Sequence, residues 1–373
     1  MRVAFLCKRH YTGKDVIIDR YGRLFEIPNQ LARLGHNVHA WSLDYRGSED
    51  CRWEHAVAPG ALAWSSRAVG GIKALKLGSY PYRLLEQVAS FEPDLLIGAS
   101  DIPHVVLSSW LGKMLRVPIV VDLYDNFESF GQARIPGFRT LLGKAVHRAD
   151  MVITVSNVLR EKVQNEYRPK GAVWVMPNGV DRTIFSPGPS GRAREMLGLP
   201  LNVRLVGTAG GLSKMKGLDH IFGAWEQLQK TCSDVHLVLA GPIEDGFLLP
   251  VGPRVHYLGV LPHHKVADLF RALDVGIISI ADTAFGRYCF PQKAYEMIAC
   301  DLPIVVSDVG EMSLLLGSNE QCLFQAGDHN ELAAVTRRQL EKKIIPVLPV
   351  QDWATLMRKI ELELIGISRK SVP

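Results

Sequence analysis

A rhythm that runs through this chain twice constrains its fold more than any other feature. Short apolar runs alternate with stretches of helical spacing. Residues 2–7 and 38–43 are apolar runs, and between them Leu24, Ile27, Leu31 and Leu34 recur at the spacing of one helix face before Gly35-His36 stops the pattern. Further apolar runs at 95–98, 119–122 and 151–155 have helical patterns at 105–115 and 138–149 between them. Apolar strands that alternate with helices predict a parallel sheet covered on both faces.

The texture changes at Pro177-Asn178-Gly179. From there to Pro200 the chain is rich in Gly, Pro, Ser and Arg, which reads as a linker. The rhythm then restarts, with strand patterns at 203–207, 235–240, 255–257, 275–280 and 304–306 and helical patterns at 218–230, 265–272 and 291–300. A final helix is expected over 353–367. The expected fold class is α/β, with two doubly wound Rossmann-like domains facing a cleft. The expected boundaries are 1–180, a linker at 181–200, a second domain at 201–355 and a C-terminal helix and tail at 356–373. Ligands of such sheets bind at the carboxyl ends of the strands, so the architecture locates a site without fixing its chemistry.

Composition narrows the function classes. At 47% hydrophobic and 22% charged residues the chain is that of an ordinary globular protein. Its apolar runs are far shorter than the roughly 18 residues needed to span a bilayer, and residues 1–7 read as a strand rather than a signal peptide. The six cysteines are scattered with no C-x-x-C pair, so a reducing, cytoplasmic setting is expected. The net charge of +5 is mild, but residues 1–180 hold 23 Lys and Arg against 17 Asp and Glu. Two readings of that bias stand: scattered solvation, or peripheral contact of residues 1–180 with an anionic membrane face.

Nicotinamide and P-loop chemistry lose most of their support, because no G-x-G-x-x-G follows a strand and no P-loop is present. No D-x-D occurs and the histidines do not group at ligand spacing, so no dedicated metal site is expected. Two clusters remain. In the first, Phe290-Pro291 opens a helical pattern in which Lys293 and Glu296 share one face. A carboxylate there suits the vicinal hydroxyls of a ribose, and a lysine with free helix-start amides suits a diphosphate. The plain alternative is a solvated ion pair. In the second, Gly210-Gly-Leu-Ser-Lys-Met-Lys-Gly217 follows a strand, with glycines that let backbone approach a ligand and with Lys214 and Lys216 for charge. The plain alternative is a glycine-rich turn with two solvated lysines.

Together these segments resemble the GT-B glycosyltransferases of family 4, the retaining nucleotide-sugar-dependent group. Gly210-x-Leu212-x-x-x-Lys216-Gly217 is similar to that family's G-R-L-x-x-x-K-G, and Pro291-x-Lys293-x-x-Glu296-x-x-Ala299 to its P-x-K-x-x-E-x-x-A form. Pro177-Asn-Gly-Val-Asp181 with Phe185 and Pro187, and Leu34-Gly-His36-x-Val38, fit the same pattern in register. Val238-x-Ala240-Gly241 and Val255-x-Tyr257-Leu258-Gly259 are weaker echoes.

The resemblance implies that Glu296 holds the donor ribose, that Lys216 stabilises the departing diphosphate, and that Gly210, Ser213, Phe290 and Lys293 line the donor site with Val260 near the base. It implies a catalytic His after the strand at 95–98. His104 is the candidate, with Asp101 beside it; helix capping by Ser100 or Asp101 with a bystander His104 is the alternative. Gly13 is the candidate for a flexible phosphate-approach loop, and Asp125, among the carboxylates Asp122, Asp125 and Glu128, is a candidate for orienting acceptor hydroxyls; a polar strand-to-helix loop is the equal alternative.

Three positions depart from the family pattern. Gly211 replaces an Arg, which shifts phosphate binding onto Lys216, Lys214 or Arg287. Tyr288 stands eight before Glu296, where another form has Glu, and Asp301 replaces a Gly. The function implied is transfer of a hexosyl unit from a UDP- or GDP-sugar to a saccharide or lipid-linked acceptor, in glycan or polysaccharide biosynthesis. Neither a cofactor nor a nucleic-acid partner is implied. The alternatives are a GT-B nucleotide-sugar epimerase and a non-catalytic sugar-nucleotide-binding scaffold.

Overall fold

The computed structural model describes residues 1–11, 13–46, 49–69 and 78–370. The chain divides into two compact units, Met1–Gly179 with Trp353–Pro373, and Val180–Asp352.

The first unit is built on an eight-stranded sheet. Its parallel strands are Ala61–Ala68, Asn37–Asp44, Arg2–Lys8, Leu95–Ala99, Ile119–Leu123, Met151–Thr154 and Ala172–Val175, in that spatial order. Counted along the chain this is the 3-2-1-4-5-6 order of a doubly wound sheet with a seventh strand added. Cys51–His55 pairs antiparallel with Ala61–Ala68 at one edge. The central strands Leu95–Ala99 and Ile119–Leu123 are buried along their whole length, as a sheet covered on both faces demands. The helix Gly22–Arg33 buries Leu24, Ile27 and Leu31, and Gly35 at φ +94° ends it as its sequence predicts.

Val180–Asp352 carries a six-stranded parallel sheet in the same 3-2-1-4-5-6 order: Val255–Tyr257, Val235–Ala240, Arg204–Ala209, Val275–Ile278, Ile304–Ser307 and Leu323–Phe324. In such a sheet the order reverses between the first and fourth strands, and a crevice opens at their carboxyl ends. In this unit the crevice falls after Arg204–Ala209 and Val275–Ile278. In the first unit it falls after Arg2–Lys8 and Leu95–Ala99.

Two boundaries differ from expectation. Residues 181–200 are no linker: they belong to the second unit and contain the helix Ser190–Leu197. Phe185, Ala193 and Leu199 are buried with Phe270 in one cluster. Arg194 donates from Nε to the Ala272 carbonyl at 2.9 Å and pairs with Asp274 at 2.8 Å. A few well-placed apolar residues outweigh a composition that is otherwise loop-like. The C-terminal helix starts at Trp353 and belongs to the first unit, where Gly179 presses its backbone on Trp353 and His36 Nε2 meets Glu361 at 2.9 Å. The edge strands Cys51–His55 and Ala172–Val175, which show alternating rather than continuous burial, are absent from the sequence reading.

Candidate functional site

In the second unit, the crevice is walled by glycines. Gly210 (φ +103°), Gly241 (φ +128°) and Gly259 (φ +66°) follow three neighbouring strands. Gly241 N donates to the Gly259 carbonyl at 2.7 Å, and a Cβ on Gly241 would fall 2.0 Å from the Gly210 carbonyl. Only glycine admits both that backbone conformation and that approach. Tyr257 clamps the stack by donating its hydroxyl to the Gly241 carbonyl at 2.8 Å. Val260, 67% exposed, follows directly on this stack.

Lys293 sits in the first turn of the helix Gln292–Ala299, which has no side-chain cap; Gln292 N and Ala294 N donate to the Phe290 and Pro291 carbonyls, each at 2.9 Å. Pro291 is the residue before the helix rather than its first helical position. Lys293 Nζ donates to Thr208 Oγ1 at 3.2 Å, and a Cβ on Gly210 would lie within 3.9 Å of the same ammonium. Burial, reinforced by the positive charge of Lys216, pulls the Lys293 pKa down to about 7, although Glu296 partly offsets it. Two like charges held together in a desolvated pocket are unfavourable until an anion joins them.

Lys216 closes the one-turn helix Lys214–Lys216 and projects its ammonium over the Phe285 ring at 4.5 Å. Ser213 opens that turn and accepts from Lys216 N at 3.0 Å through its backbone carbonyl. Gly217, at φ +61°, packs so tightly that a Cβ would meet Ser279 Oγ at 2.1 Å and His220 Nδ1 at 3.2 Å. Both of those polar atoms are buried without a partner. Gly211, by contrast, has nothing within 4 Å of where a Cβ would stand.

Glu296 accepts from Gln292 Nε2 at 3.1 Å and lies 3.9 Å from His263 Nε2. Phe290 stacks at a tilt on Tyr295, centroids 4.8 Å apart. Arg287 is held in a two-pronged ion pair by Asp282 on the surface, which weakens its case as a phosphate ligand. Asp301 takes φ +57°, the left-handed conformation of the glycine it replaces.

In the first unit, Ser100 closes the strand Leu95–Ala99 at φ +85°, an uncommon conformation for a residue with a side chain. Lys8 N donates to its hydroxyl at 2.8 Å. Asp101 caps the helix Ile102–Leu115 by accepting from His104 N at 3.1 Å, and its Oδ1 also meets His104 Nδ1 at 2.5 Å. Burial opposes ionisation of Asp101, yet the His104 charge and hydrogen bonds outweigh it and hold the carboxyl below its usual range. His104 is 1% exposed, and its Nε2 is buried without a partner. Asp101 thus both caps the helix and pairs with His104. Gly13 forms the turn between the short strands His10–Tyr11 and Lys14–Asp15 at φ +82°.

The carboxylates after Ile119–Leu123 separate. Asp122 is fully buried in a bidentate pair with Arg23, whose Nη1 also donates to the Met176 carbonyl at 2.7 Å. Glu128 pairs with Lys162 at 3.4 Å. Asp125 Oδ1 accepts from Asn126 N at 2.8 Å. Asp122, for which the sequence leaves acceptor hydroxyls and a polar loop open, is occupied by this buried ion pair.

Thr208, Phe285, Ser279 and His263 escaped sequence reasoning. Thr208 left one signal, the strand's one hydroxyl, in the strand Arg204–Ala209; the others come from loops and helices distant in sequence.

Two family models match the chain in succession, Glycosyltransferase Family 4 over residues 23–184 and Glycosyl transferases group 1 over residues 203–342. The chain belongs to the GT-B glycosyltransferases of the family 4 type, and it is a glycosyltransferase. It is 24% identical to the putative teichuronic acid biosynthesis glycosyltransferase TuaC of Bacillus subtilis, over 77% of this chain and 70% of that protein. It is 27% identical to the D-inositol 3-phosphate glycosyltransferase of Stackebrandtia nassauensis, over 62% of this chain but only 53% of that protein, about half its length. Anabaena HepE in complex with UDP shares the fold at a TM-score of 0.67 and 18% identity, covering 99% of this chain and 98% of that one. The matched families and relatives transfer glycosyl groups, which does not favour the epimerase alternative. Among the described residues no helix is long and apolar enough to cross a membrane.

Proposed function

We propose that the protein transfers a hexosyl unit from a UDP-sugar to a hydroxyl of a saccharide or lipid-linked acceptor in glycan biosynthesis, with retention. The observation that carries the donor side is the pair of ammonium groups, Lys293 and Lys216, beside a glycine-walled crevice at the switch point of the second sheet. Their mutual repulsion is relieved by a diphosphate. Glu296 takes the ribose hydroxyls. UDP is favoured over GDP because HepE, similar in fold, was solved with UDP and with UDP-glucose.

In the proposed step the acceptor oxygen bonds to the anomeric carbon as the bond from that carbon to the diphosphate oxygen breaks. The electron pair passes to the diphosphate, where Lys216 and Lys293 stabilise it, and the hydroxyl proton follows to a phosphate oxygen on the same face. The two lysines supply the charge that a divalent cation supplies elsewhere, so turnover is expected to survive EDTA with no resident cofactor. His104 and Asp101 are proposed for the acceptor side in the first unit, together with Asp125, and Gly13 for its early loop. Peripheral contact of that unit with an anionic membrane belongs to the same proposal, supported by its basic bias.

The test is Glu296→Ala. UDP-glucose, within a panel of UDP-, GDP- and ADP-sugars, should raise the melting temperature of the wild type. The variant should keep a cooperative melt while losing most of that shift and at least tenfold in turnover. Near-normal turnover would sink the assignment.

A further inference from the structure

Parallel strands of a doubly wound sheet are normally joined by helices that cover both faces. The crossover between Asn37–Asp44 and Ala61–Ala68 departs from this. Among its described residues it carries no helix, only the strand Cys51–His55, which extends the sheet edge. One face of these strands is closed by the helix Gly22–Arg33, whose Phe25 lies parallel to Trp64 with centroids 6.4 Å apart. The other face lacks a full cover: Leu62, Trp64, Ser66 and Ala68 are buried, while Ala63, Ser65 and Arg67 between them are half-buried. A cavity of about 730 Å³ opens there, between the sheet edge and the helix Tyr80–Phe91.

Its floor is polar and fixed. His39 stacks on Trp41 with centroids 3.9 Å apart, and its Nε2 meets Ser65 Oγ at 2.9 Å. Trp41 Nε1 donates to Gln87 Oε1 at 3.2 Å, which leaves Gln87 its amide nitrogen as a donor. Burial, then the charge of Arg52, pulls the His39 pKa down to about 4, so the ring is neutral near pH 7. The walls supply the charge. Arg52 stands opposite Ser65 in the register of the edge strand, and Arg83 shares a helix face with Tyr80 and Gln87. Arg2 and Arg67 also line the cavity, but Glu92 and Asp50 pair with them. Arg52 and Arg83 are exposed and form no ion pair among the described residues; Glu86 is the only other acid on the lining besides Asp50. Guanidinium groups on two walls, above a hydroxyl, an amide and a neutral imidazole, suit an anion that also carries hydroxyls. The cavity reaches Arg2, at the amino end of a strand whose carboxyl end, roughly 20 Å on, borders the crevice.

We propose that this cavity is a second ligand site, separate from both crevices. It binds a small phosphorylated sugar, with the phosphate between Arg52 and Arg83 and the hydroxyls on Ser65 and Gln87. The site requires neither the donor reading nor the acceptor reading of the two crevices.

Glucose 6-phosphate is the probe, titrated calorimetrically into the full chain with saturating UDP present. It should bind, with glucose and inorganic phosphate each at least tenfold weaker. Arg52→Gln and Arg83→Gln, both surface changes, should keep the wild-type melting temperature and each weaken binding at least fivefold, while the UDP-glucose melting shift is unchanged. No binding, or equal affinity in the wild type and both variants, would overturn the site. Inorganic phosphate binding as tightly as glucose 6-phosphate would overturn the sugar as its ligand. Loss of the UDP-glucose shift in the wild type, with arginine-dependent binding of glucose 6-phosphate intact, would strike the donor reading and support this one.

Discussion

Lys293 Nζ and Thr208 Oγ1 meet at 3.2 Å, which anchors a helix-borne ammonium to the end of the first strand of its sheet. The Lys293 ammonium titrates at about 7, first because it is desolvated and then because Lys216 is near. Its protonated form is the one that pairs with a diphosphate. UDP-glucose affinity should therefore be flat at acid pH and fall by up to about tenfold per unit above about 7. Calorimetric titration from pH 6 to 9 would show the slope, and Lys293→Met should abolish it. For stability the sign is opposite. The folded state holds fewer protons than the unfolded one between about 7 and 10.5, so lysine deprotonation favours folding as pH rises through that window.

Gly211 stands where the family pattern has an arginine, and the space around it is empty. Its φ lies outside the range that restricts side chains, so Gly211→Arg should fold normally. An added guanidinium beside Gly210 and Lys216 should tighten UDP-glucose binding by about 1 kcal/mol, roughly fivefold. Unchanged affinity would show that phosphate does not reach this loop.

Gly217 cannot be replaced without disturbing the loop. At φ +61°, with Ser279 Oγ 2.1 Å from the new carbon, Gly217→Ala should cost about 2 kcal/mol or more. The loss should appear as a lower urea midpoint together with weakened donor binding. The double variant with Ser279→Gly should recover only part of it, because the backbone strain remains.

Arg23 and Asp122 form a buried bidentate pair that also ties the helix Gly22–Arg33 to the segment around Met176. Removing one partner leaves a buried charge uncompensated. Asp122→Ala should cost about 3–5 kcal/mol by chemical denaturation, and Arg23→Met with Asp122→Leu should regain much of it. A wild-type midpoint with reduced acceptor affinity would instead restore Asp122 to the acceptor site.

The sequence by itself determined the two wound sheets, the break near residue 179, the shared helix of Lys293 and Glu296, and the glycine-flanked turn of Lys216 after a strand. These features are local: burial on both faces forces continuous apolar strands, and positive φ favours glycine at Gly210 and Gly217. Only the tertiary structure decided which charges serve the site. Asp122 is spent on Arg23, which lies 99 residues away on a helix that the sequence does not pair with it, and Arg287 on Asp282 within one loop. It also decided that residues 181–200, with the helix Ser190–Leu197, belong to the second unit, and that the expected helix from Trp353 belongs to the first. Spacing along a chain fixes which residues share a face; which faces meet depends on contacts between distant segments, and those exist only once the sheets have closed.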